Sequence, residues 1–407
     1  MLTSKSKGSY LKTNKIVVIG GGYAGLRTVE HLAKNKNNEI ALFDTHPYHY
    51  MQTEVYDFIA NEKDFSNITV DLFTFCKGFE DNVTFYKQEI VDVDFTNKNV
   101  LTSIKKHSYD YLVISTGSRT KFIDSIVGLK EYSYGIKSLH RALFFKQKFE
   151  VSLLNNIEEE GDYCKLLNII VAGGGLSGVE IAAQMASYSK EFYSKNNFLC
   201  RNLNIVLIDA CEHILPGLDK KLVSLSEQRL KDLDVIIKDN RMVVEVTKDS
   251  VKLNSGEILP MDFMIFAGGI EPNKFVLNLN IEKNEKNYIV TNEYLQSSSF
   301  PDVFAIGDCT TIYSDNIPLA PTADIAEQMA EHCAKNINNL TQDRPLIRHN
   351  IKSRGTLIAL GRKYAVGKLF KMHIKGYLAY IVKKVVEKIY AKRLIFRSAK
   401  GSEKIFN

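Results

Sequence analysis

The clearest pattern along the chain is a set of short, continuous apolar runs, each ended by glycine, aspartate or another polar residue. They fall at Ile16–Ile19, Ile40–Phe43, Tyr111–Ser115, Ile169–Ala172, Ile205–Ile208, Met264–Ala267 and Val303–Ile306. Runs of this length, apolar on both faces, predict strands of parallel sheets covered on both sides. After the first run, Leu26, Val29, Leu32 and Ala33 recur at helical spacing, so a strand turns directly into a helix. The same unit returns. KIVVIGGGYAGLRTVEHLA from Lys15 and NIIVAGGGLSGVEIAAQMA from Asn168 align residue for residue, with their first glycines 153 positions apart. A period that long is a duplicated domain rather than a solenoid. The expected fold class is α/β, with two Rossmann-like dinucleotide-binding domains. Polar stretches at 151–165 and Tyr188–Asn204 read as surface loops or helix extensions.

Glycine spacing gives the duplicated unit its chemistry. Gly20, Gly22 and Gly25 form GxGxxG between strand and helix, and Asp44 ends the next strand 24 residues on. The first glycine permits a tight turn, the second lets backbone approach a pyrophosphate, and the third allows helix to pack on sheet. The helix start offers free N–H groups to phosphate, and the acid can accept hydrogen bonds from a ribose. Gly173, Gly175 and Gly178 repeat the spacing, with Asp209 closing the strand IVLID 36 residues beyond Gly173. An acid there repels a ribose 2′-phosphate, and Ala210, Cys211 and Glu212 supply no arginine to receive one, so NADH is favoured over NADPH. Two such sites in one chain suggest a flavin and a nicotinamide nucleotide held for hydride transfer.

These residues, with YDYLVISTGS (Tyr109–Ser118), IKSLHRAL (Ile136–Leu143), FAGGIEPN (Phe266–Asn273) and VFAIGDCT (Val303–Thr310), carry a resemblance. From about Lys15 to Tyr380 the chain resembles the two-dinucleotide-fold flavoprotein reductases, and among them the type II NADH dehydrogenases (NADH:quinone oxidoreductases). The resemblance implies an FAD domain over 15–120 and 270–345, interrupted by an NADH domain over 121–269. A polar tail (1–14) precedes them and a membrane-associating segment (346–407) follows. FAD would be held by Gly20, Gly22, Tyr23, Ala24, Gly25, Asp44, Thr116, Gly117, Gly307 and Asp308. NADH would meet Gly173, Gly175, Leu176, Ser177, Gly178, Asp209 and Gly268. Glu180 matches a family glutamate placed where nicotinamide meets flavin, although an acid in the first helical turn is also explained by the helix dipole. Asp308 could equally cap the helix that follows. Around His49–Glu54, Gln52 matches an aromatic segment beside the isoalloxazine, whereas Thr53 and Glu54 stand where the family has Pro and Leu. PTADIAEQMAEH (Pro321–His332) resembles a quinone-proximal helix. Ala323 and Ala326 would admit a flat ring and Gln328 would bond its carbonyl, while Asp324 replaces a family Gln; a solvated alanine face is the alternative.

Beyond Gly376, Tyr377, Leu378, Ile381, Val382, Val385, Val386 and Ile389 recur at helical spacing, with Lys383, Lys384, Lys388 and Lys392 on the other side. Residues 368–407 hold 11 Lys/Arg against 2 Asp/Glu, and the rest of the chain 42 against 45, so the net +6 is made entirely at this end. This reads as a basic amphipathic helix lying on an anionic membrane surface. Packing inside a monomer or homodimer is its rival. TLIALGRKYAVGKLF from Thr356 resembles the family segment leading into that region.

With 407 residues, 45% of them hydrophobic, the chain can bury a large core in two or three domains. The first fourteen residues lack the apolar stretch of a secretory signal, and no uncharged apolar segment approaches the ~20 residues that span a bilayer. The expected place is peripheral, on the cytoplasmic face of the inner (plasma) membrane. Six cysteines, with no CxxC, CxxxxC or metal-like spacing, read as reduced thiols, and neither a metal site nor a nucleic-acid partner is expected. A disulfide reductase would need a CxxxxC after the first glycine motif, where there is no cysteine. A sulfide:quinone oxidoreductase would need a cysteine pair beside flavin, and a non-respiratory FAD/NADH-binding regulatory flavoprotein would bind both nucleotides without turnover.

Overall fold

The computed structural model describes residues 13–158, 166–195, 202–314, 316–370 and 372–406. Two five-stranded parallel sheets form its frame. In the first, the strand order is Val303–Ala305, Tyr111–Ile114, Asn14–Ile19, Asn38–Asp44, Val83–Lys87. In the second it is Ser133–Tyr134, Phe263–Phe266, Leu167–Ala172, Leu203–Ile208, Val235–Lys238. Each of the seven apolar runs becomes one of these strands, because residues such as Ile16, Val18, Ile169, Val171 and Ile265 have helices or sheet on both faces and lie buried. The glycine-motif strand is central in both sheets, paired in register with the strand that ends at the acid: Ile19 with Phe43, and Ala172 with Ile208.

The chain leaves the first sheet after Ile114 and returns through the antiparallel pair Ser118–Thr120 and Ile270–Pro272. Val303–Ala305 then pairs with Tyr111–Ile114. The second Rossmann unit is thus inserted in the first. Edge strands Val83–Lys87 and Val235–Lys238 and three three-stranded antiparallel sheets, one of them Gly355–Ala359, Ala365–Leu369 and Met372–Gly376, were not expected. Their apolar runs are short or alternate with polar residues. The polar stretch after Tyr188 is in part a helix extension, Leu176–Lys195, and Leu139–Glu158 ends at the first acid of the Glu158–Glu160 patch. Residues 159–165 and 196–201, like the tail over 1–12, lie outside the described residues, and Leu203 and Asn204 begin the strand Leu203–Ile208.

A 30-residue helix, Tyr377–Phe406, closes the chain. It crosses the Leu72–Lys77 helix so closely that a Cβ on Gly401 would stand 1.8 Å from the Thr74 carbonyl oxygen, and one on Gly78 2.0 Å from that of Arg397. Its orientation corrects the sequence reading. Lys383 and Lys384 do not face outward: Lys383 Nζ lies 3.0 Å from Glu180 and 3.4 Å from Glu387, and Lys384 pairs with Asp57 and Glu387. The acids of the body draw these cations in, because a buried carboxylate without a counter-charge is costly. Lys388 and Lys392 stay exposed, as expected. The apolar stripe faces out, with Leu378 64% and Ile389 63% exposed, alongside Tyr377, Val385, Val386 and Phe396 and the nearby turn residue Phe370 at 87%. No helix among the described residues is long and apolar enough to cross a membrane.

Candidate functional site

Each glycine turn is held from beneath by the acid that ends the neighbouring strand. Asp44 Oδ2 accepts the Gly21 N–H at 2.7 Å while Oδ1 accepts that of His46 at 2.8 Å. Asp209 does the same with Gly174 N–H and, at 2.7 Å, Cys211 N–H. An ionised carboxyl has about four acceptor positions, so both acids keep capacity for a ribose. Gly25 must be glycine because a Cβ would meet the Gly20 carbonyl oxygen at 1.8 Å, and Gly178 stands likewise against Gly173. Gly22 and Gly175 differ from these, since a Cβ there would meet nothing within 4 Å. Open space above exposed backbone N–H groups at a helix start is what a pyrophosphate requires.

Beside the first cradle, five distant stretches converge. Gly307, at φ +72°, would carry a Cβ 3.2 Å from that of Ala24 and 3.9 Å from that of Ala326, so three segments meet at one point. Asp308 Oδ2 accepts Ser118 Oγ–H at 2.8 Å and lies 3.4 Å from Lys137 Nζ. The Lys137 carbonyl accepts from Gln52 Nε2 at 3.2 Å, and Tyr23 and Thr53 share a hydroxyl hydrogen bond of 2.9 Å. Thr116 Oγ1 is buried without a partner, and Gly117, at φ +66°, opens on free space. An orphaned hydroxyl beside an open glycine, next to an acid and a lysine, fits a polar, phosphate-bearing cofactor such as FAD. Lys137 was missed as a site residue; its one signal was its place in the IKSLHRAL segment.

In the second unit, Gly173 packs against Ala267 and Gly268 as Gly20 does against Ser115 and Thr116. Leu176 and Ser177 open the helix, and Ser177 Oγ accepts the Tyr56 hydroxyl at 2.9 Å. A pocket of about 470 Å³ opens just beyond Asp209, lined by Cys211–Leu218 and by Lys220, Val223, Ser224 and Glu227. A larger cleft of about 570 Å³ lies at the opposite end of the first sheet, by Thr13, Asn38 and Lys404, away from the strand ends where such folds bind ligands. Glu180 is buried, and its Oε1 accepts the Ala359 N–H at 2.8 Å besides facing Lys383. Burial pushes its carboxyl above the ordinary value, and Lys383 and the amide oppose the shift.

The residues matched to the quinone-proximal helix have partners of their own in the fold. Ala326 is buried against Gly307 and packs the Ala323–Leu340 helix onto the Gly307–Asp308 turn. Gln328 Nε2 already donates to Asp324 Oδ2 and to the Lys352 carbonyl, each at 2.9 Å. Ala323 is the partly exposed first residue of the helix. Glu54, which replaces the family Leu, is buried beside Lys63.

Cys76, Cys309 and Cys333 are free and buried, and Cys211 is free and exposed. Burial pushes the Cys309 thiol up to about 12 and those of Cys76 and Cys333 well above the ordinary value. A thiolate-selective reagent at pH 8 is expected to modify Cys211 and to spare these three until the protein is unfolded, as read by mass spectrometry of tryptic peptides.

The sequence profile of the pyridine nucleotide-disulphide oxidoreductases matches residues 14–329. The chain belongs to this family. Within reach of the family, it is 28% identical over 381 residues to the type II NADH:quinone oxidoreductase of Staphylococcus saprophyticus, covering 92% of this chain and 94% of that one. Among solved structures it resembles NDH2 from Plasmodium falciparum in complex with NADH, with TM-score 0.83, 19% identity and coverage of 96% and 98% of the two chains. The sulfide:quinone oxidoreductase of Aquifex aeolicus has a similar fold, with TM-score 0.81, 21% identity and coverage of 95% and 92%.

Proposed function

We propose that this family member carries electrons from NADH, through bound FAD, to a membrane quinone. One observation carries the reading. Two acid-pinned glycine cradles of the same build sit in one chain, and the family glutamate Glu180 and the Gly307–Asp308 turn lie beside them. The first cradle, with Tyr23, Ala24, Asp44, Thr116, Gly117, Gly307 and Asp308, would hold FAD. The second, with Leu176, Ser177, Asp209 and Gly268, would hold NADH. The flavin supplies the two-electron chemistry between donor and acceptor. The protein's part is placement. Asp209 takes the ribose hydroxyls and repels a 2′-phosphate. Glu180, held by Lys383 and the Ala359 amide, sets the polarity of the wall where nicotinamide arrives. Lys137 orients Asp308 and Ser118. Gln328 can offer its amide to a quinone carbonyl by giving up Lys352.

The test is steady-state oxidation of NADH, NADPH and sulfide with one soluble quinone analogue. NADH is expected to exceed NADPH in kcat/KM by at least about tenfold, the scale set by one repelled charge. Turnover of sulfide without turnover of NADH overturns the reading, and so does FAD binding with no turnover of NADH.

The enzyme would work at the cytoplasmic face of the plasma membrane, where NADH is supplied, attached peripherally through the outward face of the Tyr377–Phe406 helix. Burying one large apolar side chain gains about 1.5–3 kcal/mol, so the stripe outweighs the exposed lysines. The double substitution Leu378→Asp/Ile389→Asp is expected to cut binding to anionic phospholipid vesicles by more than about a hundredfold in sedimentation, with oxidation of NADH by a soluble quinone retained. Undiminished binding would assign the stripe to contact with a second copy of the chain.

A further inference from the structure

The two cradles are pinned alike at one atom and differently at the next. In both, an acid holds the N–H of the middle glycine. The carbonyl of that glycine is held in the second cradle by a neighbouring backbone group, Leu215 N–H to Gly174 O at 2.7 Å. In the first cradle a side chain does this work: His49 Nδ1 lies 3.0 Å from the Gly21 carbonyl oxygen. His49 is in turn held by the terminal helix, its Nε2 lying 2.9 Å from the Tyr390 hydroxyl. The Tyr390 ring also packs 4.8 Å from that of Tyr23, the first residue of the cradle's helix.

The proton positions follow. A carbonyl only accepts, so Nδ1 carries the imidazole proton, Nε2 accepts, and Tyr390 donates. Burial holds His49 down at about 4, so the ring is neutral at pH 7 and this tautomer is the one present. The Gly21–Gly22 peptide is planar and trans, so its carbonyl and the Gly22 N–H point in opposite directions. Fixing the carbonyl on His49 therefore fixes the direction of the Gly22 N–H, at a glycine whose Cβ position has nothing within 4 Å.

We propose that His49 and Tyr390 are positioning residues for FAD: through them the terminal helix aims the Gly22 N–H at the cofactor's pyrophosphate. The inference rests on the reading that the first cradle takes FAD. It makes flavin retention depend on the docked terminal helix at Tyr390, apart from the contact that Lys383 of the same helix makes with Glu180. Loss of the Tyr390 hydroxyl leaves Nε2 buried without a donor and frees the ring to change tautomer or turn away from Gly21.

The experiment uses the full-length holoprotein, with FAD release followed by the rise in flavin fluorescence on dilution and NAD⁺ affinity measured by calorimetry. Tyr390→Phe is expected to release FAD about tenfold faster with NAD⁺ affinity within about twofold of wild type, the scale of one buried hydrogen bond. His49→Asn keeps an amide N–H for the Gly21 carbonyl without needing Tyr390, so adding Tyr390→Phe to it should produce no further loss. Equal acceleration by Tyr390→Phe in both backgrounds would reduce Tyr390 to helix packing and overturn the proposal, as would a wild-type release rate in Tyr390→Phe. If wild-type protein takes up no FAD, the assignment of the first cradle falls, and this inference with it.

Discussion

Gly22→Val is expected to give a folded protein that purifies nearly colourless, with less than about a tenth of the wild-type flavin. The added Cβ meets no protein atom, because the position has nothing within 4 Å. It enters the space proposed for the pyrophosphate. Far-ultraviolet circular dichroism should match wild type while visible absorbance per protein falls. Gly25→Val makes the contrast, since there the clash is with the Gly20 carbonyl and the fold itself should suffer. Full flavin occupancy in Gly22→Val would mean that the first cradle is not where the pyrophosphate lies.

The second large effect is expected at Lys383. Lys383→Met leaves Glu180 with the Ala359 amide but no cation, while Glu387 keeps Lys384, in a site where Lys383 is 13% and Glu180 8% exposed. Removing one partner of a buried ion pair typically costs about 3–5 kcal/mol, more than most single substitutions. The pH dependence has a definite sign. The folded-state value of Glu180 is already raised by burial, and losing Lys383 raises it further. A carboxyl raised on folding contributes stability that is present below its unfolded value and lost as pH rises through its folded value. The deficit of Lys383→Met relative to wild type should therefore be larger at pH 8 than at pH 5 in urea unfolding. Equal deficits at both would assign the cost to packing instead of charge.

Much of the frame was legible because its signals are local. An apolar run such as Ile169–Ala172, followed at once by Gly173, specifies strand, turn and helix within twenty residues, and the repeat makes the assignment twice. The terminal helix was legible as a helix but not in its orientation. Periodicity separates two faces without saying which one is inside, and here the answer lies in Asp57 and Glu180, more than 200 residues upstream of the lysines they meet. A count of positive charge placed Lys383 and Lys384 on the outside, whereas the body's own acids claim them. Lys137 was marked only by its place in a matched segment and Tyr390 by nothing, for the same reason: each meets its partners only through the fold. Gln328 shows what a motif match leaves out: its amide is already engaged by Asp324 and by the Lys352 carbonyl, partners that the local pattern does not reveal.

The close backbone crossing at Gly78 and Gly401 also limits how this chain can be altered. An α-helix advances about 100° per residue, and with its far end locked against Thr74 the Tyr377–Phe406 helix cannot slide to absorb a change in length. One residue inserted before Leu394 would swing the upstream lysines out of their acid pocket and turn oily side chains toward Glu180. Extensions beyond Phe406 would leave that register untouched, so affinity tags and fusions belong at that end.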